Sequence, residues 1–164
     1  MIIGFRSAGH LFWTGEDDRM GQLKAKYGDQ LDIIYCTNDG TFGVEGFVTG
    51  PLGEMLKDGK MSKGRKLAEV ISVGPPMMMR AVSDLTQPYE VPTVVSLNSI
   101  MVDATGMCGA CMVPVLKDGK NVRMHACIDG PEFDAHTVEW DKFMPRFNQF
   151  KAQEVRSLEE HGLA

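Results

Sequence analysis

Three of the four cysteines in this chain, Cys108, Cys111 and Cys127, fall within 20 residues of one another. Cys108-Gly109-Ala110-Cys111 places two thiols on one tight loop, and fifteen residues separate Cys111 from Cys127. Gly109 lets the backbone pass close to whatever the two thiols hold. Plant-type [2Fe–2S] sites use the spacing C-x4-C-x2-C with a distant fourth cysteine. The same spacing occurs here with Asp103 at the first position. The residues therefore read as a [2Fe–2S] cluster held by Asp103, Cys108, Cys111 and Cys127. A carboxylate is a harder donor than a thiolate, so it alters the potential of the iron it holds. Two other readings stay open on spacing alone. Cys108, Cys111, His125 and Cys127 make a Cys3His zinc set, with His125 and Cys127 on one face of a strand. The third reading is three unrelated buried cysteines. Cys36 lies far away at a strand end and reads as packing.

Length and composition narrow the setting. A chain of 164 residues suits one ordinary domain or one domain with a small appendage. It carries 17 Lys+Arg against 22 Asp+Glu, a formal net charge of -5, with no basic block. That balance argues against general nucleic-acid binding. No apolar run reaches the ~18 residues of a membrane span. Met1-Ile2-Ile3-Gly4-Phe5-Arg6 lacks the features of a signal peptide, so a cytoplasmic location is expected. Thiols in such a compartment serve as metal ligands more readily than as disulfides.

Upstream of the cysteines the pattern alternates. Residues 1–5 read as a strand, 16–27 as a helix capped by Gly28, and 31–36 as a strand closed by Thr37-Asn38-Asp39-Gly40. Residues 48–56 follow as a helix that tolerates Pro51 in its first turn. A strand at 67–73 ends in Gly74-Pro75-Pro76, a helix spans 77–86, and a strand spans 93–97. Strands alternating with helices predict an α/β fold with a parallel sheet covered on both faces. Beyond Leu97 the texture changes. Short strands at 111–116 and 122–127 flank Asp118-Gly119, a hairpin signal. Residues 138–161 read as one C-terminal helix kinked at Pro145, with Trp140, Phe143, Phe147 and Phe150 as its apolar stripe. The expected organisation is a nucleotide-binding domain over 1–98, a β-rich cluster module over 99–136 and a helical tail over 137–164.

The segment from Ser96 through Asp103 to Cys111, with Ala126-Cys127-Ile128-Asp129-Gly130-Pro131-Glu132-Phe133, resembles one electron-transfer family. It is similar to the C-terminal part of the small subunit of NADH-dependent reduced ferredoxin:NADP oxidoreductase, also called sulfide dehydrogenase subunit beta. The dihydroorotate dehydrogenase electron-transfer subunit is related, but usually has cysteine where Asp103 stands. An aspartate ligand is a feature of the first group, which favours iron–sulfur over zinc. Gly4-Phe5-Arg6, Thr37-Asn38-Asp39-Gly40 and Gly74-Pro75-Pro76 look like the later nucleotide-binding segments of ferredoxin-reductase-type domains. By that resemblance Met1 starts at the second strand, so the flavin-binding barrel and the first Gly-rich turn are not represented.

The resemblance implies an NAD(P)H-linked iron–sulfur flavoprotein oxidoreductase. Nicotinamide delivers two electrons at once and a [2Fe–2S] cluster accepts one, so FAD is needed between them. Within the nucleotide half, Arg6 is expected at the adenosine ribose or its phosphate. Asp39 and Gly40 are expected at the carboxyl end of the next strand, and Gly74 and Pro75 on the nicotinamide side. The implied cofactors are [2Fe–2S], NAD(P) and, in a full-length subunit, FAD. The implied partner is a larger flavin/iron–sulfur subunit, and the chain alone is expected to be inactive. The alternatives are a dihydroorotate dehydrogenase electron-transfer subunit and a non-catalytic cluster-carrying module.

Overall fold

The structure, a computed structural model, describes residues 1–58 and 66–163. The chain divides into two compact units, Met1–Leu67 and Ala68–Ala164.

The first unit is a parallel sheet with helical crossovers. Strand β1 (Ile2–Phe5) is followed by a 3-10 turn (Ala8–His10) and helix α1 (Arg19–Tyr27). Gly28 closes α1 at φ 48°, with its N–H bonded to the Lys24 carbonyl, a conformation that glycine adopts without steric cost. Strand β2 (Ile34–Thr37) pairs in parallel with β1, Ile2 opposite Ile34 and Phe5 opposite Thr37. Strand β3 (Val44–Glu45) adds in parallel on the far side of β2, giving the order β1-β2-β3. The tight return from β2 to β3 depends on Gly43 at φ 68°. A Cβ there would lie 2.2 Å from the Tyr35 carbonyl oxygen. Helix α2 (Thr49–Asp58) begins with Pro51 near its first turn and buries Leu52 and Leu56.

The second unit holds β4 (Val70–Val73), α3 (Pro76–Thr86) and β5 (Thr93–Ser96), a second parallel crossover. Hairpin strands β6 (Met112–Lys117) and β7 (Lys120–His125) come next, then the one-turn helix α4 (Ala126–Asp129) and strand β8 (Glu132–Asp134). The two hairpin turn residues, Asp118 at φ 51° and Gly119 at φ 72°, both take positive φ. Such turns match the twist of the flanking strands. Strand β8 runs antiparallel on β5, Val95 opposite Phe133, in the order β4-β5-β8. The α/β fold expected from sequence is present: each unit holds a three-stranded sheet, and that of the second includes the antiparallel strand β8. Pairing of β5 with β8 ties the strand before residue 98 to the segment after the cysteines.

The core of this unit centres on Met79, Val95, Val113, Ala135 and Phe143, all fully buried. Several buried polar groups find partners, while the Ser72 hydroxyl in β4 has none. The Thr93 hydroxyl donates to Thr86 Oγ1 at 2.7 Å, and Thr86 shares a 2.9 Å hydrogen bond with His136 Nε2. The expected helix over 138–161 is broken. Helix α5 (Trp140–Phe143) passes into a 3-10 turn (Met144–Asn148) containing Pro145, and α6 (Lys151–Glu160) restarts beyond Phe150. Proline has no N–H to donate and cannot continue the α-helical ladder. Phe143 stacks edge-on against Trp140 and Phe147, whereas Phe150 is exposed and α6 buries nothing. The stripe therefore packs only as far as Phe147. Replacing Phe143 with Ala leaves a cavity inside these rings and should cost about 3–5 kcal/mol, read as a lowered midpoint in thermal or urea denaturation.

Candidate metal centre

Hairpin register places two of the cysteines. Met112 faces His125 at the open end of β6–β7, so Cys111 and the start of α4 emerge side by side. The Ala126 N–H donates to the Cys111 carbonyl at 3.0 Å, and the Ser99 hydroxyl reaches the same oxygen at 3.4 Å. Cys127, in the first turn of α4, thereby brings its Sγ to 3.2 Å from Cys111 Sγ. The Asp129 carboxylate supports that turn by accepting the His125 N–H at 2.7 Å.

The other two donors sit on the loop between β5 and β6. Asp103 Oδ1 accepts the Thr105 N–H at 3.0 Å, closing a small turn. Ala104, Gly106 and Gly109 all take positive φ, so the loop coils tightly. The Asp103 carboxyl is held below the usual carboxylate range, first by the Thr105 N–H and to a lesser degree by Cys108. Cys127 is shifted upward, first by its contact with Cys111 and then by burial; the Gly106 N–H opposes this. The Ala110 N–H points at Cys108 Sγ, 3.5 Å away.

Of the four candidate ligands, Cys111 and Cys127 are in contact, and Asp103 and Cys108 lie on one loop. Asp103 and Cys108 are exposed, Cys127 is partly exposed, and Cys111 is buried. Among the described residues no three His, Cys, Asp or Glu side chains converge on a point suited to one ion. His125 turns its Nδ1 toward Asp129, 3.9 Å away.

The nucleotide candidates lie in both units. In the first, Arg6 is exposed just after β1, and Asp39 and Gly40 occupy the turn after β2. The two loops are stitched together: the Ala8 N–H donates to Thr41 Oγ1 at 2.8 Å, and the Thr41 hydroxyl donates to Asp39 Oδ1 at 2.6 Å. Arg6, Asp39 and Gly40 therefore share the carboxyl end of one parallel sheet, where open α/β sheets bind ligands. Gly74 and Pro75 follow β4 in the second unit, at the start of α3. Sequence reasoning passed over Thr41, although its place two residues after Asp39 is the mark of an Asx turn.

Comparison with known proteins agrees with the site. Residues 98–139 match the iron–sulfur cluster binding domain of dihydroorotate dehydrogenase B. The chain is 40% identical over 158 residues to the dihydroorotate dehydrogenase B electron-transfer subunit homolog of Thermotoga maritima, covering 96% of this chain and 49% of that protein. The chain is a relative of these electron-transfer subunits. A Clostridium beijerinckii protein described only by its position in the adh 3′ region is 47% identical over 126 residues, 77% of this chain and 40% of that one. A structure of NADH-dependent reduced ferredoxin-NADP oxidoreductase, reported for flavin-based electron bifurcation, superposes with a TM-score of 0.73 at 32% identity. That match covers 98% of this chain and 51% of the solved one. The chain spans about half the length of the relatives it matches.

The Thr41 hydroxyl is the leading cause of the lowered Asp39 pKa. A carboxyl depressed in the folded state stabilises the fold above its unfolded value, about 3.9, and loses that contribution as pH falls through the folded value. In Thr41→Val the Asp39 titration, followed by NMR, should move up toward the ordinary range, and the stability that Asp39 contributes above about 3.9 should shrink, so that less of it is lost on acidification.

Proposed function

We propose that this chain is the cluster-bearing part of the electron-transfer subunit of an NAD(P)H-linked iron–sulfur flavoprotein oxidoreductase. In such a complex single electrons pass between FAD, reduced or oxidised by NAD(H), and a larger flavin/iron–sulfur partner subunit. The observation that carries this reading is the 3.2 Å approach of the Cys111 and Cys127 sulfurs, inside the segment that matches an iron–sulfur domain. A [2Fe–2S] cluster bound there supplies one-electron chemistry. The chain's own residues supply the rest. Cys111 and Cys127 anchor the inner side against the core. Asp103 and Cys108 hold the side that faces solvent, and N–H groups of Ala110 and Gly106 offset charge on the sulfurs.

Residues 1–98 serve, in this reading, as the nucleotide-binding part. Arg6, Asp39 and Gly40 contact the adenosine half of NAD(P), and Gly74 and Pro75 the nicotinamide half. Residues 99–136 form the cluster module and 137–164 the tail. Val102, Met107 and Ile128 are apolar, exposed and close to the cluster loop in sequence or space. They offer a contact surface for the partner subunit beside the solvent-facing ligands. FAD belongs to a part of the complex outside the segments described here, so NAD(P)H oxidation by this chain alone is not expected. The relatives' names favour a second reading, an electron-transfer subunit of dihydroorotate dehydrogenase B itself. Asp103, where that group usually has cysteine, counts against it.

The deciding experiment is purification without oxygen, followed by a visible spectrum and counts of iron, sulfide and zinc. About two irons with matching sulfide and a red-brown colour are expected; one zinc per colourless chain overturns the redox reading. Asp103→Ala should lose most of the iron, and Asp103→Cys should retain the cluster with a changed spectrum. An Asp103→Ala protein with unaltered iron and spectrum excludes this carboxylate as a ligand.

A further inference from the structure

We propose that Arg146 is a positioning residue for the cluster loop, holding the Cys108–Cys111 turn in place and setting the electrostatics around it; this rests on the cluster reading above. Its guanidinium donates from Nη2 to the Ala110 carbonyl at 3.0 Å, across 36 residues of sequence. Ala110 lies between the two cysteines of the C-x2-C turn, so the bond fixes the peptide that leads into Cys111. The inner carbonyl of that turn, Cys111 O, is bound by Ala126 and Ser99. Arg146 thus adds a side-chain tether on the preceding carbonyl, and it comes from outside the module.

Packing explains why the side chain is there. Arg146 sits in the 3-10 turn opened by the broken C-terminal helix, between Met144 and Phe147, which both pack on the core. The Phe143 and Phe147 rings, 4.9 Å apart, fix the turn. Arg146 is partly buried, and none of the ion pairs among the described residues uses it. Glu139, which lines the same cleft together with Arg123, Lys142 and Arg146, is taken by Lys142 at 2.6 Å. The guanidinium charge is therefore directed at the loop rather than neutralised by a carboxylate.

Two consequences follow from general chemistry. A carbonyl beside anionic ligands is held best by a charged donor, and guanidinium presents a planar fork that stays protonated. One-electron reduction of a cluster adds one negative charge, which a nearby fixed cation favours. Arg146 accordingly acts on both retention and potential. A residue that only fills space acts on neither once the chain is folded.

The test uses the full chain, purified without oxygen, with Arg146→Met, Arg146→Gln and Arg146→Lys alongside the parent. Iron release to a chelator and the midpoint potential are measured on each. Arg146→Met should release iron about tenfold faster or more and have a more negative potential. Arg146→Gln should also become more negative, because the charge is gone, while Arg146→Lys should stay near the parent potential. If Arg146→Met does not fold, the Lys and Gln variants decide: equal potentials in the two overturn the proposal. A loaded parent whose Arg146→Met variant matches it in both measurements overturns the proposal alone. A parent chain without iron overturns the cluster reading and this proposal with it.

Discussion

The hydrogen-bonded register of the β6–β7 hairpin is the constraint on which the metal centre depends. Its turn, Asp118-Gly119, fixes Lys117 opposite Lys120, and every pair up to Met112 and His125 follows from that. Val113, Pro114 and Val115 are all buried, so both faces of this strand are covered there and the register is set by the turn. That register delivers Cys111 and Cys127 to the same end of the hairpin, 16 positions apart in sequence and with sulfurs 3.2 Å apart.

Around this hairpin the second unit is built to exclude water from one side of the centre and admit it on the other. Cys111 is buried with Val113, Ala126 and Phe133, while the loop bearing Asp103 and Cys108 is exposed. The loop has few apolar contacts of its own and is shaped by backbone bonds: an Asx turn at Asp103, left-handed residues at 104, 106 and 109, and N–H groups aimed at sulfur. Such a loop gains order when its donors are bound to metal, because metal coordination supplies free energy that its own packing does not. An exposed donor side suits a one-electron carrier, which must meet a partner closely without exposing its inner ligands.

Much of the architecture was legible in the chain itself. The strand at the N-terminus, the helix ending at Gly28, the α3 segment and the Asp-Gly hairpin all follow from local signals, and their bounds moved by only a few residues in the structure. The candidate ligands stand out in the sequence because chemistry restricts both residue type and spacing within a short loop. The C-terminal helix was misjudged for a physical reason: Trp140, Phe143, Phe147 and Phe150 have helical spacing, but Pro145 removes a donor inside the stripe. Only tertiary packing selects which rings then stay buried. The place of β8 was equally hidden, since no local signal states that it adds antiparallel to β5.

Sequence by itself determined the elements whose causes are local: alternating strands and helices, the two-residue turn, and the spacing that singles out one carboxylate and three thiols as candidate ligands. Tertiary structure alone decided that Cys111 and Cys127 meet. It also decided that Thr41 links the loops after β1 and β2, and that Arg146 reaches the Ala110 carbonyl. These last contacts join residues separated by 33 and 36 positions through single hydrogen bonds. A hydrogen bond needs its partners within about 3 Å. No pattern of residue types along a chain encodes that proximity until the core has brought the segments together.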